Sequence, residues 1–241
     1  SAIDRMMPML RFFRQGDGSF AHFNGCGDTP SDQLATVLAY DDVRGAPLSY
    51  APHSGYQRVE AGDAILIVDS GRPPPVEFST DAHAGCLSFE LSVGRQRLIS
   101  NCGVPAIHAG PLRRLSRTTA AHSTVSINDT SSCRFLQRSW MGEWLGEAII
   151  AGPSRVLSER RRENGATALI MGHNGYVDRY AIVHERRLSL TDAGDRLDGI
   201  YVLASGSIRY VAQQPNGKAV PMRFWPPGEP LGVVACLDGK G

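Results

Sequence analysis

Four histidines are the residues of this chain whose surroundings could support chemistry. They lie in the segments DAHAG, AAHSTV, GHNGY and VHERR, as His83, His122, His173 and His184. An imidazole can transfer a proton near neutral pH or bind a metal ion, although a single histidine is more often structural. No His-x-His pair of the cupin type is present. The histidines therefore predict a site only if the fold brings several of them together.

Composition and motifs disfavour several other classes of protein. The formal charge is +1 with 20% charged residues, so we expect no nucleic-acid partner. No apolar run approaches the ~20 residues of a membrane-spanning helix, so we expect no membrane partner. No G-x-S-x-G elbow, P-loop or G-x-G-x-x-G after a strand occurs. The five cysteines form neither a C-x-x-C pair nor a short disulfide framework.

The elements that would position these histidines change character near residue 45. Before it, Ile3, Met6, Met7, Leu10 and Phe13 follow helical spacing, with Pro8 weakening or starting the helix. A second helix is predicted after a glycine-rich loop, with Thr29 as N-cap, Pro30 at the first helical position and Asp32 completing a capping box. We therefore predict a helical lead-in over residues 1–45.

The remainder, residues 46–241, reads as short strands separated by Gly, Pro, Asp and Asn turns. This pattern predicts a mainly β fold, an antiparallel β-sandwich or barrel preceded by one or two short helices. The clearest predicted strands are AILIVDSG, CLSFELSVG, RLISNCG, HSTVSIND, TALIMGHNG, YAIVHERRLSLTDAGDRLDG and GVVACLDG. In HSTVSIND, period two places His122 on a polar face with Thr124, Ser126 and Asn128.

Three segments carry a family resemblance. HAGCLSFELSVGRQRLISNCG, RTTAAHSTVSINDTSS and GHNGYVDRYAIVHERRLSL together resemble the C-terminal β-sandwich of bacterial heparinase II/III-like proteins, in order and spacing from about Arg5 to Gly199. The resemblance implies an (α/α) toroid upstream, of which residues 1–45 would be the last helices, and a polysaccharide cleft between toroid and sandwich. It also implies β-elimination at a uronic acid, with most catalytic groups supplied by the toroid.

The resemblance also assigns roles to individual residues. It implies that His122 and His83 are catalytic, and that His83, Asn101 and His122 occupy the positions of a structural zinc site found in some members. Gly85 and Asn101 replace the two aspartates of that site, and a neutral amide is a poor zinc ligand. Alternatively, Asn101 faces the substrate with His122. Arg117 and Arg186 either bind acidic sugar or are solvated edge charges.

We therefore expect a polysaccharide-lyase-like protein acting on uronate-containing glycans, with this chain supplying the sandwich side of the cleft. The isolated chain is expected to be inactive without the toroid. No cofactor is required by the sequence, and zinc is the one candidate. The alternatives are a non-catalytic glycan-binding or interaction module and a metal-dependent jelly-roll enzyme. The residues themselves do not indicate a location; the resemblance implies the periplasm, with the cytoplasm as the alternative.

Overall fold

A computed structural model describes most of the chain. The described residues are 2–40, 45–104, 111–136, 147–163 and 165–191, with the backbone of four further strands between 201 and 231. The chain divides into two compact units, Ser1–Ala193 and Gly194–Gly241. The predicted boundary at residue 45 stays a prediction. No helix among the described residues is long and apolar enough to cross a membrane.

The described helices are short. They are α1 (Ala2–Phe12), α2 (Ser31–Ala39), α3 (Pro111–Ser116) and α4 (Val177–Tyr180), with single 3-10 turns at Val76–Phe78 and Thr119–Ala121. Both predicted lead-in helices are present, with Pro8 inside α1. The predicted capping box is wrong, because Pro30 is the N-cap of α2 and no side chain caps it. The hydroxyl of Thr29 instead donates to the Gly27 carbonyl, at 3.4 Å.

The strands of the first unit are antiparallel, as predicted. A five-stranded sheet has the order β1-β2-β3-β4-β5, and a three-stranded sheet has the order β10-β9-β8. The bounds are β1 (Tyr50–Ala51), β2 (Tyr56–Ala61), β3 (Ala64–Asp69), β4 (Phe89–Val93), β5 (Gln96–Ile99), β8 (Val156–Glu163), β9 (Ala166–Tyr176) and β10 (Ile182–Leu190). A small ribbon pairs β6 (Arg134–Phe135) with β7 (Ile149–Ala151).

The main hydrophobic core lies between the two sheets. It joins β2 and β3 of the larger sheet to β9 of the smaller one, through the buried side chains of Val59, Leu66, Val68, Cys86, Leu87, Leu169 and Met171. Alternation along β3 sends Leu66 and Val68 into this core and Ile65 and Ile67 to the opposite face. The mainly β sandwich fold predicted from the sequence is therefore confirmed.

The helical lead-in covers the opposite face of the larger sheet. Phe12 of α1 and Phe23 of the glycine-rich loop pack with Tyr56 and Ile67. The predicted apolar stripe of α1 included Met6, which is 62% exposed, and missed the fully buried Phe12. The lead-in thus has its own hydrophobic contact with the sheet, which holds the glycine-rich loop against β2 and β3.

The predicted strand HSTVSIND is wrong. Residues 119–121 form a 3-10 turn, and Asn128 and Asp129 adopt left-handed φ angles of 49° and 52°. The Ser126 hydroxyl donates to the Thr130 carbonyl at 3.2 Å, a local bond of the kind that competes with strand pairing, and two other hydroxyls of the segment bond to distant backbone. Thr124 donates to the Cys86 carbonyl at 3.0 Å, and Ser123 donates to the Phe89 carbonyl. His122 consequently lies in an irregular segment rather than on a polar strand face.

Other predicted strands are confirmed in part. The TALIMGHNG strand is β9, and the strand predicted from Tyr180 is β10, which begins at Ile182 because Tyr180 belongs to α4. Residues 192–200 and the predicted strand GVVACLDG, from residue 232, lie outside the described residues. In the second unit, β11 (Tyr201–Val202) pairs with β14 (Pro230–Leu231), and β12 (Ile208–Gln213) pairs with β13 (Ala219–Trp225).

Candidate functional site

Two loop segments lie side by side and place His83 opposite His122. One is residues 82–84, before β4, and the other is residues 117–119, after α3. The Ala84 N–H donates to the Arg117 carbonyl at 2.8 Å, and the Thr119 hydroxyl donates to the Ala84 carbonyl at 2.7 Å. The two histidines are thus brought together by backbone bonding between segments that are far apart in sequence.

His83 is held from a third side by the glycine-rich loop. Its backbone N–H donates to Oδ1 of Asn24 at 2.9 Å, and Asn24 has a left-handed φ of 43°. Strand parity alone would have turned His83 toward the core with Leu87. The structure instead places it in a loop before β4, with Leu87 itself at a φ of 62°. His83 therefore does not follow the inward and outward alternation of β4.

The two imidazoles form a hydrogen-bonded pair with assignable tautomers. Nδ1 of His83 lies 3.0 Å from Nε2 of His122, and Nδ1 of His122 lies 2.8 Å from the Thr118 carbonyl oxygen. A carbonyl oxygen only accepts, so Nδ1 of His122 carries the proton and its Nε2 is the acceptor. Nδ1 of His83 must then donate, which leaves Nε2 of His83 with a lone pair.

Burial keeps both rings neutral. His83 is 5% exposed and His122 is 9% exposed. Desolvation, with smaller contributions from His122 and Arg117, lowers the pKa of His83 to about 3. Desolvation also lowers the pKa of His122, opposed by its bond to Thr118. A ring with a pKa far below the working pH is a weak general base, so in this arrangement His83 is better suited to accepting a hydrogen bond.

Asn101 lies beside this pair and is fixed by two backbone contacts. Its Oδ1 accepts the Ser123 N–H at 2.9 Å, and its own N–H donates to Oε1 of Glu90 at 2.9 Å. Glu90 is fully buried and also pairs with Arg97 at 3.3 Å. The carboxylate of Glu90 therefore positions Asn101 next to the segment that carries His122.

The residues at this centre do not fit a zinc site. Structural zinc takes four ligands, usually Cys, His or acidic side chains. Among the described residues, no group of three or more His, Cys, Asp or Glu could hold a metal ion. Gly85 offers no side-chain ligand, and Asn101 offers only a neutral amide oxygen, which already accepts the Ser123 N–H. A metal-binding histidine usually donates its other ring N–H to a carbonyl, as His122 does to Thr118, so this bond does not distinguish the centre from a zinc site. The difference from a zinc site is that the centre has no carboxylate ligands.

Arg117 is buried and donates three hydrogen bonds to backbone carbonyls. It is 2% exposed, and its guanidinium donates to the carbonyls of Ala82 and Ser79 at 2.9 Å and of Glu147 at 2.8 Å. Its Cζ lies 4.6 Å from the centroid of the Phe135 ring. Desolvation lowers its pKa to about 10, so it stays charged at neutral pH. The predicted contact of Arg117 with substrate stays a prediction, and its observed contacts organise the loops.

Arg186, the other arginine predicted to bind substrate, also contacts backbone. It donates to the carbonyls of Leu87 at 2.9 Å and Ser123 at 2.6 Å. Its Cζ lies 5.2 Å from the Phe89 ring centroid, and burial lowers its pKa to about 10. Arg186 of β10 therefore ties the smaller sheet to the segment after His122, and its role in substrate binding stays a prediction.

A basic cavity of about 500 Å³ lies next to Arg117. It is lined by Arg114, Arg117, Thr118, Ser131, Cys133, Arg134, Phe135, Leu136, Glu147 and Arg179. Glu147 lies 3.4 Å from Arg114 and 3.8 Å from Arg117. Arg134 and Arg179 are exposed and have no acidic partner within the described ranges. Among the described residues, the lining has four arginines and one glutamate, so this part of the cavity suits an anionic ligand.

A second histidine pair lies in the smaller sheet. Nε2 of His173 is 3.1 Å from Nδ1 of His184, and the Gly175 N–H donates to Nδ1 of His173. His173 therefore donates through Nε2, and His184 accepts. Burial, with the charge of Arg186, lowers the pKa of His173 to about 4, and burial with His173 lowers that of His184 to about 3. The four histidines form two neutral pairs rather than one cluster.

Sequence reasoning missed three charged residues that line the cavity. Arg134, Arg179 and Glu147 come from β6, α4 and the residues before β7. No short motif joins them, because they meet only through folding. The excess of arginine, 23 of 25 basic residues with lysine only at Lys218 and Lys240, was the one available signal, and it did not indicate positions.

These two packed antiparallel sheets, with a polar loop cluster and an arginine-lined cavity, define a β-sandwich protein. The chain belongs to the heparinase II/III-like family, because the family model for the heparinase II/III-like C-terminal region matches residues 43–210. The resemblance predicted from the three segments is therefore confirmed.

Similar proteins include one clear sequence relative and several solved structures. FtsZ-localized protein C of Caulobacter vibrioides (strain NA1000 / CB15N) is 34% identical over 225 residues, which cover 93% of this chain and 38% of that protein. A mutant of heparan sulfate lyase HepC from Pedobacter heparinus matches with a TM-score of 0.53 at 15% identity, covering 78% of this chain and 30% of that one. A heparinase III gene product matches with a TM-score of 0.56 at 15% identity, covering 91% and 36%.

The chain thus spans 30–38% of the length of these relatives. The likeness to the two lyase structures, at 15% identity, shows the fold alone.

Proposed function

We propose that this chain is the sandwich side of a polysaccharide-lyase-like protein that binds uronate-containing acidic glycans, with the arginine-lined cavity as the anionic contact. The observation that supports the proposal is that the described part of the cavity lining has four arginines and one glutamate. A guanidinium can bind a carboxylate through two parallel hydrogen bonds, which suits uronate recognition. The solvent-facing Arg134 and Arg179 would make the first contacts with the glycan.

In this proposal the cavity assists β-elimination by neutralising the uronate carboxylate. Neutralisation stabilises the negative charge that develops when the C5 proton is removed and the 4-O-glycosidic bond breaks. In this proposal the chain is part of a longer protein, here called the parent protein. The base and the proton donor come from an upstream toroid domain of that protein. The chain alone binds glycan without cleaving it, and the proposed location is the periplasm.

The first experiment measures binding by the isolated chain. The double variant Arg134→Ala/Arg179→Ala is expected to bind a uronate oligosaccharide about tenfold more weakly, because it loses two exposed charge contacts. Arg95→Ala is the matched control, since Arg95 is also exposed but lies in the turn between β4 and β5. Calorimetric titration with a neutral glucan should give no binding. Equal affinity of wild type and double variant would disprove the cavity assignment.

The second readout uses the parent protein and detects the ultraviolet absorbance of an unsaturated uronate product. The lyase proposal is supported if the wild-type protein forms this product from an acidic glycan and the Arg134→Ala/Arg179→Ala variant forms less of it. Binding without product on any uronate polymer would leave a glycan-binding protein and reject β-elimination.

A second candidate is a non-catalytic interaction module, which one comparison favours. The sequence relative with 34% identity is described as localized with FtsZ, whereas the lyase structures share only 15% identity. We propose that the parent protein associates with FtsZ. When FtsZ polymers are sedimented, the parent protein is expected to appear in the pellet with them. If it stays in the supernatant at the same mass of polymer, this candidate is rejected.

A further inference from the structure

The centre around His83 and His122 differs from a metal site in every side chain that should supply negative charge. The resemblance places zinc ligands at His83, Asn101 and His122, with a further aspartate where this chain has Gly85. Two neutral imidazoles and an amide would carry no charge to balance a divalent cation. The local geometry shows what these substitutions allow instead.

Gly85 leaves room for the His122 ring. A Cβ atom at residue 85 would lie 3.0 Å from Cδ2 and 3.4 Å from Cγ of His122. An aspartate would therefore force the ring to move by a few tenths of an ångström. With glycine, the ring rests against the backbone of the 82–85 loop and reaches His83 directly.

Asn101 presents the wrong chemical group for a cation. Its Oδ1 accepts the Ser123 N–H, so the orientation of the amide is fixed by a backbone donor. Its Nδ2 is buried and has no hydrogen-bond partner in the described part of the chain. Nδ2 carries two hydrogens and no available lone pair. The free side of Asn101 is thus a donor, which cannot ligate a metal ion.

We infer that this centre is a metal-free histidine pair that fastens the 82–85 loop to residues 118–124. The connection runs from the Thr118 carbonyl to Nδ1–H of His122, and from Nε2 of His122 to Nδ1–H of His83, at 2.8 and 3.0 Å. It reinforces the backbone bonds between Ala84, Arg117 and Thr119. Direct hydrogen bonds replace the cross-link that a metal ion would supply. This inference does not depend on the proposed glycan binding.

The first test measures zinc and thermal stability in the isolated chain. Elemental analysis after dialysis is expected to find only substoichiometric zinc, and the Tm is expected to be the same with EDTA and with added ZnCl2. The matched variant Gly85→Asp/Asn101→Asp adds two carboxylates and is expected to show a Tm that rises with zinc. One zinc per wild-type chain, or a wild-type Tm that rises as the variant's does, would overturn the inference.

The second test measures which ring nitrogens of His83 and His122 carry a proton. Long-range ¹⁵N NMR is expected to show protonated Nδ1 and unprotonated Nε2 in both His83 and His122, unchanged by EDTA. His122→Gln keeps an acceptor for Nδ1–H of His83, so its Tm should stay close to that of wild type. His122→Ala leaves that donor unpaired, so its Tm should be several degrees lower. Equal losses in the two variants, or a protonated Nε2 on His122, would contradict the proposed pair.

Discussion

Replacement of Arg117 by alanine is expected to lower the free energy of unfolding by about 3–5 kcal/mol, since truncating a buried hydrogen-bonded charge leaves its partners unsatisfied. The three carbonyls that Arg117 serves, on Ser79, Ala82 and Glu147, would each lose a charged donor. The stacking with Phe135 would also be lost. For a unit of this size the Tm should fall by about 10 °C.

Two matched variants separate this structural role from charge alone. Arg117→Lys keeps the charge but cannot reach three carbonyls with one ammonium group, so we expect it to restore only part of the stability. Arg114→Ala removes an exposed arginine that also faces Glu147, and should cost no more than about 0.5 kcal/mol. Urea and thermal unfolding of the three variants provide the measurement. If Arg117→Ala were as stable as wild type but bound glycan poorly, the substrate-binding role predicted from the sequence would be preferred.

Acidification from pH 7 to pH 5 is expected to destabilise the chain by about 4 kcal/mol, as the net of opposing proton linkages. The pKa values of His83 and His184 are lowered to about 3, and that of His173 to about 4. Below the ordinary histidine pKa the unfolded rings take up protons that the folded rings do not, so stability is lost as the pH falls. At pH 5 this costs about 2 kcal/mol for each ring.

Asp69 acts in the opposite direction. Burial raises its pKa to about 7, so between about pH 4 and pH 7 the folded state holds a proton that the unfolded state releases. Its contribution to stability is therefore lost as the pH rises, and acidification from pH 7 to pH 5 returns about 2 kcal/mol. The net loss of about 4 kcal/mol follows from the three histidine contributions less this one, and the lowered pKa of His122 adds to the loss in the same direction.

Two substitutions test the linkage by urea unfolding at several pH values. His184→Asn retains an acceptor in place of Nδ1 but cannot titrate, and should reduce the loss between pH 7 and pH 5 by about 2 kcal/mol. Asp69→Asn keeps the acceptor for the Gly71 N–H and should increase that loss by a similar amount. A flat stability profile in wild type, or the same profile in all three proteins, would show that these groups titrate normally.

Much of the fold was predictable because it depends on local patterns. The apolar runs in AILIVDSG and TALIMGHNG predict β3 and β9, which meet in the main core. The prediction failed at HSTVSIND, where polar and apolar residues alternate. There the hydroxyls of Ser123 and Thr124 bond to the backbone of distant residues, and that choice depends on neighbours that the local sequence does not contain.

The sequence by itself determined the family, the mainly β architecture and the presence of uncharged residues at positions 85 and 101, since each depends only on residue identity and order. Only the tertiary structure decided that His83 bonds to His122 and that His173 bonds to His184. It also decided that the Arg117 guanidinium donates to three backbone carbonyls. It also assembled the arginine-lined cavity from separate segments. The physical reason is that tautomers, burial and pKa values depend on which groups lie within hydrogen-bonding distance, and that is fixed only when distant segments pack together.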